Sequence, residues 1–276
     1  MGIPICQVDA FTARPFAGNP ACVVMLETPA EADWMQAVAG EMNLSETAFL
    51  VPAGDGWNLR WFTPRLEVKL CGHATLASAH VLWETGRLGS DEEARFDTRS
   101  GRLTCAKRGD WIEMDFPAHP CQTAPPPAGL TEALGGAPQA VFRVGGATGW
   151  TWLVELGSEQ AVRDLRVDFA GLAAVEHGCA IVAARAETAG FDFVSRFFAP
   201  AAGIEEDPVT GSAHCSLGPY WADKLGKTEL IGLQVSRRGG VVKVRVAGDR
   251  VKLSGQTVTV LRGELACPSG PTARKA

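Results

Sequence analysis

No run in the 276 residues approaches the ~20 consecutive apolar positions of a membrane-spanning helix, and the first residues show neither the charged n-region nor the apolar h-region of a secretory leader. The chain reads as neither membrane-spanning nor exported. Basic clusters are also missing: 26 Lys and Arg stand against 31 Asp and Glu, for a formal charge of −5, which leaves no electrostatic footing for nucleic acid or an anionic bilayer. Any anionic ligand must then be small. The eight cysteines, at 6, 22, 71, 105, 121, 179, 215 and 267, include no CxxC pair and no Cys/His pair at zinc-binding spacing, so no metal site is expected. They read as free thiols of a reducing, cytoplasmic setting; seven suit small core positions and Cys71 stays open. Met1-Gly2 makes no myristoylation signal, because Cys6 stands where that signal needs Ser or Thr.

What is present is a globular composition, 46% hydrophobic and 21% charged, in a length that favours two domains over one. An internal repeat makes that expectation specific. Arg60-Trp61-Phe62-Thr63-Pro64 and Arg196-Phe197-Phe198-Ala199-Pro200 share the pattern R-aromatic-F-small-P at an offset of 136 residues. Cys71 and Asp207 follow those prolines by seven residues, and each stands just before a helix-forming stretch. Further on, Asp97 to Gly101 with Gly109-Asp110 matches Ser236 to Gly240 with Gly248-Asp249, at offset 139. Two units of about 120 residues suit a duplicated domain, whereas a solenoid needs shorter and more numerous repeats. The expected units are 1–120 and 130–267, joined near Pro125-Pro126-Pro127, with the final strand able to pack back on the first unit and 268–276 a flexible tail.

Each unit reads as strands around one helix. Ile5 to Phe11, Ala21 to Leu26 and Thr47 to Val51 carry strand character, and Arg102 to Phe116 forms a hairpin turning at Gly109-Asp110. Thr28-Pro29-Ala30-Glu31 is a capping box that predicts a helix from Pro29 to Glu41. Ala74 to Trp83 is apolar all the way round, the mark of a helix buried on every side. Its counterpart contains Gly211, Ser212, Ala213, Cys215 and Ser216 and is expected to be interrupted at Pro219. The fold class is α+β, a curved sheet wrapped around a central helix, twice.

Ser45-Glu46-Thr47, Cys71-Gly72-His73 and Asp207 to Ser212 place polar groups in apolar or glycine-punctuated surroundings. A helix start exposes unbonded N–H groups and the positive end of the dipole, so starts after Cys71 and Asp207 would make a pair of small-anion sites. Glu46 at the edge of the apolar run Ala48 to Val51 is either a tuned acid or base or a solvated strand end. Asp207, placed before Pro208, either points its carboxylate at a ligand or caps its own helix. His73 is a site residue or a core histidine. Ser212 is a ligand contact or a small packing residue.

Four segments carry a more specific signal: Asp9 to Thr12 with Gly18-Asn19-Pro20, Ser45 to Phe49, Cys71 to Thr75, and Glu206 to Ala213. Together they resemble the phenazine-biosynthesis PhzF-like isomerase family, within the diaminopimelate epimerase-like superfold, over about Gln7 to Gly255. The resemblance implies two similar halves with the active site between them, a homodimer, and no metal or organic cofactor. It assigns Glu46 as the residue that moves a proton, as its counterpart does on a cyclic hydroxy-amino acid, with His73, Asp207 and Ser212 binding or polarising the substrate. Ser45, Gly72, Gly211 and Cys71 complete the implied binding set. The expected activity is therefore cofactor-independent proton transfer on a small carboxylate. Two alternatives stay open: an epimerase or racemase working through Cys71 and Asp207, and a protein that binds a metabolite or partner without turnover.

Overall fold

The computed structural model describes residues 2–146 and 149–266, so Cys267, the expected tail at 268–276 and part of the Gly145 to Trp150 loop lie outside the described residues. In chain order the elements are β1 (Ile3–Ala10), β2 (Asn19–Met25), α1 (Ala32–Met42), β3 (Glu46–Ala53), β4 (Gly56–Phe62), β5 (Glu67–Val68), α2 (Gly72–Glu84), β6 (Ala94–Thr98), β7 (Gly101–Arg108) and β8 (Trp111–Pro117). They continue as β9 (Cys121–Thr123), α3 (Leu130–Leu134), β10 (Ala140–Gly146), β11 (Gly149–Glu155), α4 (Glu159–Arg163), α5 (Phe169–Ala174), β12 (Ala180–Arg185) and β13 (Phe193–Ala199). A short 3₁₀ turn (Pro200–Ala202) leads to β14 (Ile204–Asp207), α6 (Gly211–Leu225), β15 (Glu229–Gln234), β16 (Gly240–Ala247), β17 (Arg250–Gly255) and β18 (Thr257–Leu265).

The chain divides into two compact units. The first takes the N-terminal segment to Phe16, Pro20–Met114 and the segment from Gln256; the second takes Ala17–Asn19 and Asp115–Gly255. The proline run expected as the junction belongs to the second unit, because β9 just before it pairs with β10 and Ala124 packs on that unit's core. The last strand, β18, pairs antiparallel along β1 in the first unit.

Each unit repeats one pairing scheme. In the first, β2 and β3 are parallel, β3 and β4 antiparallel, β5 hangs on β4, β4 and β6 are parallel, and β6 and β7 close as a hairpin. In the second, β11 and β12, β12 and β13, β14 on β13, β13 and β15, and β15 and β16 repeat those relations in the same order. The parallel steps are where a helix must cross, and α2 and α6 are the crossovers between β4 and β6 and between β13 and β15. In α2 every residue from His73 to Ala79 is buried, so no face meets water.

The repeated arginines explain the strongest sequence match. Arg60 forks onto Glu67 on β5 (2.8 and 2.9 Å) and Arg196 onto Glu206 on β14 (2.7 and 2.9 Å), both bidentate. Each guanidinium also lies over the phenylalanine two residues on, 5.2 Å from the Phe62 centroid and 4.8 Å from that of Phe198.

These pairs correct one expected equivalence. Trp61 pairs with Val68 and its counterpart Phe197 pairs with Asp207, so Asp207 answers to Val68 and not to Cys71. The extra residues sit in the turn that includes Pro200–Ala202, which moves the offset from 136 to 139 before the helix begins. Helix α2 starts at Gly72 after Cys71, and α6 starts at Gly211 after Thr210, so Thr210 is the residue that matches Cys71.

Two helix boundaries also differ from local signals. The capping box at Thr28 does not form: α1 begins at Ala32, with Glu31 at the N-cap and no side-chain cap, placed by burial of Met35, Val38 and Ala39. Helix α6 runs on through Pro219. The proline leaves the Cys215 carbonyl without its helical donor, and the His119 N–H bonds it instead at 3.0 Å.

Unit two carries a buried charge that tests its own contribution. The Glu159 carboxylate, at the start of α4, accepts the N–H groups of Glu187 and Thr188 (2.8 Å each), the Thr188 hydroxyl (2.6 Å) and Arg163 (2.9 Å). Burial opposes its ionisation, yet these donors hold its pKa down to about 2. A depressed carboxylate stabilises the fold above its ordinary pKa and loses that contribution as pH falls through the folded-state value. Urea unfolding at neutral pH should find Glu159→Gln less stable by about 2 kcal/mol, the cost of leaving buried donors unmatched. The gap should narrow in acid.

Candidate functional site

The polar cluster of the first unit is built from two places in the chain. Glu46 opens β3, where it pairs in parallel register with Ala21, and Cys71 and His73 flank Gly72 at the start of α2. His73 Nε2 lies 3.1 Å from Glu46 Oε2, and His73 Nδ1 lies 3.5 Å from Cys71 Sγ. The side chains of His73 and Glu46 are only 7% and 12% exposed, so both charges need partners.

Burial disfavours a charged His73, but the neighbouring Cys71 and Glu46 outweigh it and raise the imidazole pKa well above its ordinary value. Of these two we assign the effect to Glu46, because burial and the same carboxylate push the Cys71 thiol up to about 11 and keep it neutral near pH 7. The result is a protonated imidazole held against a carboxylate where helix α2 begins. Its first-turn N–H groups have no carbonyl to bond inside the helix and are available to an anion. Ser45 is half-buried beside Glu46, and Gly72 presents no side chain over these donors.

Glu46, Cys71 and His73 also each bring one possible metal-ligand atom, all within 4.8 Å of one another. Cys71 and His73 both hold protons near neutrality, which a metal would first have to displace. The cluster suits proton handling better than metal capture.

In the second unit the Asp207 carboxylate accepts the Thr210 hydroxyl and, at 2.8 Å, the Asn19 amide. Asn19 also donates to the Val209 carbonyl at 2.9 Å. Gln234 binds the same turn three times, accepting the Thr210 N–H at 2.9 Å and donating to the Asp207 carbonyl at 2.8 Å and the Thr210 hydroxyl oxygen at 3.2 Å. Asp207 thus ends a strand four residues ahead of Gly211 and does not occupy the N-cap. Gly211 is buried, whereas Ser212 is exposed on the first turn of α6, among otherwise buried neighbours. Asn19, Thr210 and Gln234 were not singled out from sequence. Asn19 and Thr210 lie inside recognisable motifs, but Gln234 carries no signal in its surroundings.

The family model described as phenazine biosynthesis-like protein (PhzC-PhzF) matches residues 8–263. An uncharacterized isomerase of Halalkalibacterium halodurans is 51% identical over 266 residues, covering 96% of this chain and 99% of that protein. The crystal structure of a PhzF family phenazine biosynthesis protein from Enterococcus faecalis superposes with a TM-score of 0.90 at 39% identity, over 97% of this chain and 100% of that one. A probable proline racemase from Agrobacterium radiobacter shares the fold, with a TM-score of 0.62 at 13% identity over 98% and 94% of the two chains. The fold is the α+β, diaminopimelate epimerase-like one.

The ion pair can be tested without any substrate. Glu46→Gln should return the His73 pKa towards or below the ordinary imidazole value, read by NMR titration of the ring. A raised histidine pKa stabilises fully below about 6.5 and loses its effect as pH rises through the folded-state value. The stability lost in Glu46→Gln should therefore be greatest in mildly acid solution and shrink as pH rises.

Proposed function

We propose that this chain, which belongs to the phenazine biosynthesis-like (PhzC-PhzF) family and is an isomerase, moves a proton between carbons of a small carboxylate with Glu46 as the base. The observation that carries this reading is the buried Glu46 and His73 pair, 3.1 Å apart, at the start of α2. In the first step the bond between hydrogen and the carbon next to the substrate carboxylate breaks. The proton goes to Glu46 and the electron pair moves into an enolate-like system whose charge collects on the carboxyl oxygens. In the second step Glu46 returns the proton to a different carbon, the double bond shifts, and atoms and charge balance.

Charge forms in the transition state near donors that are already aimed. The N–H groups of the first turn of α2 would hold the substrate carboxylate, and His73, kept protonated by its neighbours, would oppose the growing negative charge. With those donors the reaction calls for no metal or organic cofactor. Asp207 and Ser212 would bind and orient the substrate, a role supported by the match to the family motif at Glu206 to Ala213. A homodimer in the cytoplasm, with no nucleic acid or membrane partner, fits this reading. Among the described residues no helix is long and apolar enough to cross a membrane.

The epimerase alternative would work through Cys71 and Asp207, a matched pair only if both stood at equivalent helix starts. In the structure the position matching Cys71 is Thr210, an alcohol whose hydroxyl is already given to Asp207, so the matched pair is absent. Isomerisation by one base is the better supported chemistry.

Screening small cyclic and amino-acid carboxylates for solvent deuterium uptake would identify a substrate. On it, Glu46→Gln should lower kcat by at least about 100-fold, the usual contribution of a general base, with the fold unchanged by circular dichroism. Full turnover in that variant would remove Glu46 from the role.

A further inference from the structure

In the second unit, the segment 207–210 that leads into α6 has each of its carbonyls taken by a side chain. Gln234 Nε2 donates to the Asp207 carbonyl at 2.8 Å, the Ser236 hydroxyl to that of Pro208 at 2.7 Å, the Asn19 amide to that of Val209 at 2.9 Å and His214 Nδ1 to that of Thr210 at 2.8 Å. Gln234 also accepts the Thr210 N–H, on its Oε1 at 2.9 Å. In an ordinary tight turn the carbonyl of the first residue takes the N–H of the fourth directly. At 207–210 a side-chain amide stands between the two. Because a carbonyl only accepts and an N–H only donates, the backbone dictates which end of that amide faces which group.

We propose that Gln234 is a positioning residue for Asp207: its amide holds the turn 207–210 open and so sets where the Asp207 carboxylate stands ahead of α6. The inference rests on the proposed role of Asp207 in orienting the substrate. Gln234 is 0% exposed and ends β15, where it is paired with Ser195 on one side and Gly240 on the other, so its amide projects from a fixed base. The same Nε2 lies 3.2 Å from the Thr210 hydroxyl oxygen, whose hydrogen goes to Asp207. Gln234 thus acts on the carboxylate by two routes, through the backbone and through Thr210.

The first unit supplies an internal comparison. Arg60 and Arg196 match β4 to β13, so Asn58, which pairs with Asp97, answers to Val194, which pairs with Leu233. Thr98 is then the counterpart of Gln234. Its hydroxyl stays within its own turn, donating to the Gly101 carbonyl at 2.7 Å and accepting the Ser100 N–H at 3.0 Å. Other clamps recur in both units: Thr75 and His214 take the N-cap carbonyls, and Ser100 and Ser236 take those of Lys69 and Pro208. The long amide belongs to the second unit, which also has Asp207 and Thr210 where the first has Val68 and Cys71. A clamp that served only to hold a helix start would suit both units; this one accompanies the carboxylate.

Gln234→Met keeps the length of the side chain and removes both ends of the bridge. In its crystal structure the Thr210 N–H should bond the Asp207 carbonyl directly, and the Asp207 carboxylate should leave the Asn19 amide. A turn of unchanged width, with Asp207 still on Asn19 and Thr210, would overturn the proposal. Should that variant fold poorly, Gln234→Glu keeps the acceptor for Thr210 and loses the donor while it is ionised. The Asn19 side-chain amide signals, read by proton–nitrogen NMR, should then be displaced at neutral pH and should return in acid, where a protonated carboxyl donates again, to those of the unsubstituted protein at the same pH. Signals displaced equally at both pH values would overturn it. On a substrate found by deuterium uptake, Gln234→Met should lower kcat/KM by about 100-fold, chiefly through KM, the scale of a misplacement of about 1 Å. In an Asp207→Ala background it should cost nothing further, since a residue that acts through Asp207 has nothing left to position. Equal losses in the two backgrounds would overturn the positioning role. Full turnover by Asp207→Ala would remove Asp207 from the site, and because the structure of Gln234→Met needs no turnover, that failure is distinguishable from a failure of the bridge.

Discussion

A helix buried on every face inside its own sheet is the constraint from which the chemistry of this chain follows. Such a helix gains stability from apolar contact along its length, but its first turn still carries N–H groups with no internal partner. On a surface helix, water meets that need. For α2 and α6, whose first turns are largely buried, the chain itself or a ligand must do so. Each unit therefore concentrates polar side chains where its helix begins, within an otherwise apolar interior.

The two units answer the same demand differently. In the second, Asp207, Thr210, Asn19 and Gln234 bond one another and the backbone into a closed network. Such a network is rigid and leaves few choices of proton position. In the first, Glu46, His73 and Cys71 form a short chain in which the imidazole stands between an acid and a thiol. Helix dipole and burial both work against a positive His73 there, and the neighbouring Cys71 and Glu46 raise its pKa against them. The duplication supplies a shared frame, and the two starts differ in the titratable groups they hold.

The frame was legible in the sequence because its signals are local. Arg60 and Arg196 recur with their phenylalanines, since each pairs with a glutamate on the neighbouring strand and packs on its own ring. Periodicity showed α2 as wholly buried, and the glycine turns showed the β7 and β8 hairpin. The shift between Cys71 and Asp207 was hidden because both offsets were visible while the place of change was not. Between Pro200 and Asp207 the added turn ends at Gly203, in the left-handed region, but a lone glycine does not give the number of added residues, which the pairing of Phe197 with Asp207 reveals. The continuity of α6 through Pro219 was equally hidden, since the donor that makes it tolerable, the His119 N–H, lies 100 residues away. Such compensation from a distant loop leaves no trace in a local pattern.

Which residues of the site meet one another is less legible in the sequence than which residue types stand near the helix starts. A carboxylate at the edge of the apolar run Ala48 to Val51 stands out in the sequence, so Glu46 could be named from its neighbours alone. That His73 is its partner, and that Cys71 holds the far side of the ring, depends on β3 and the start of α2 meeting in space. Sequence spacing of 25 residues between Glu46 and Cys71 says nothing about that meeting. Once it is known, each buried charge of the pair is seen to demand a partner. The demand comes from His73, and through it from the carboxylate that burial obliges to find a positive partner.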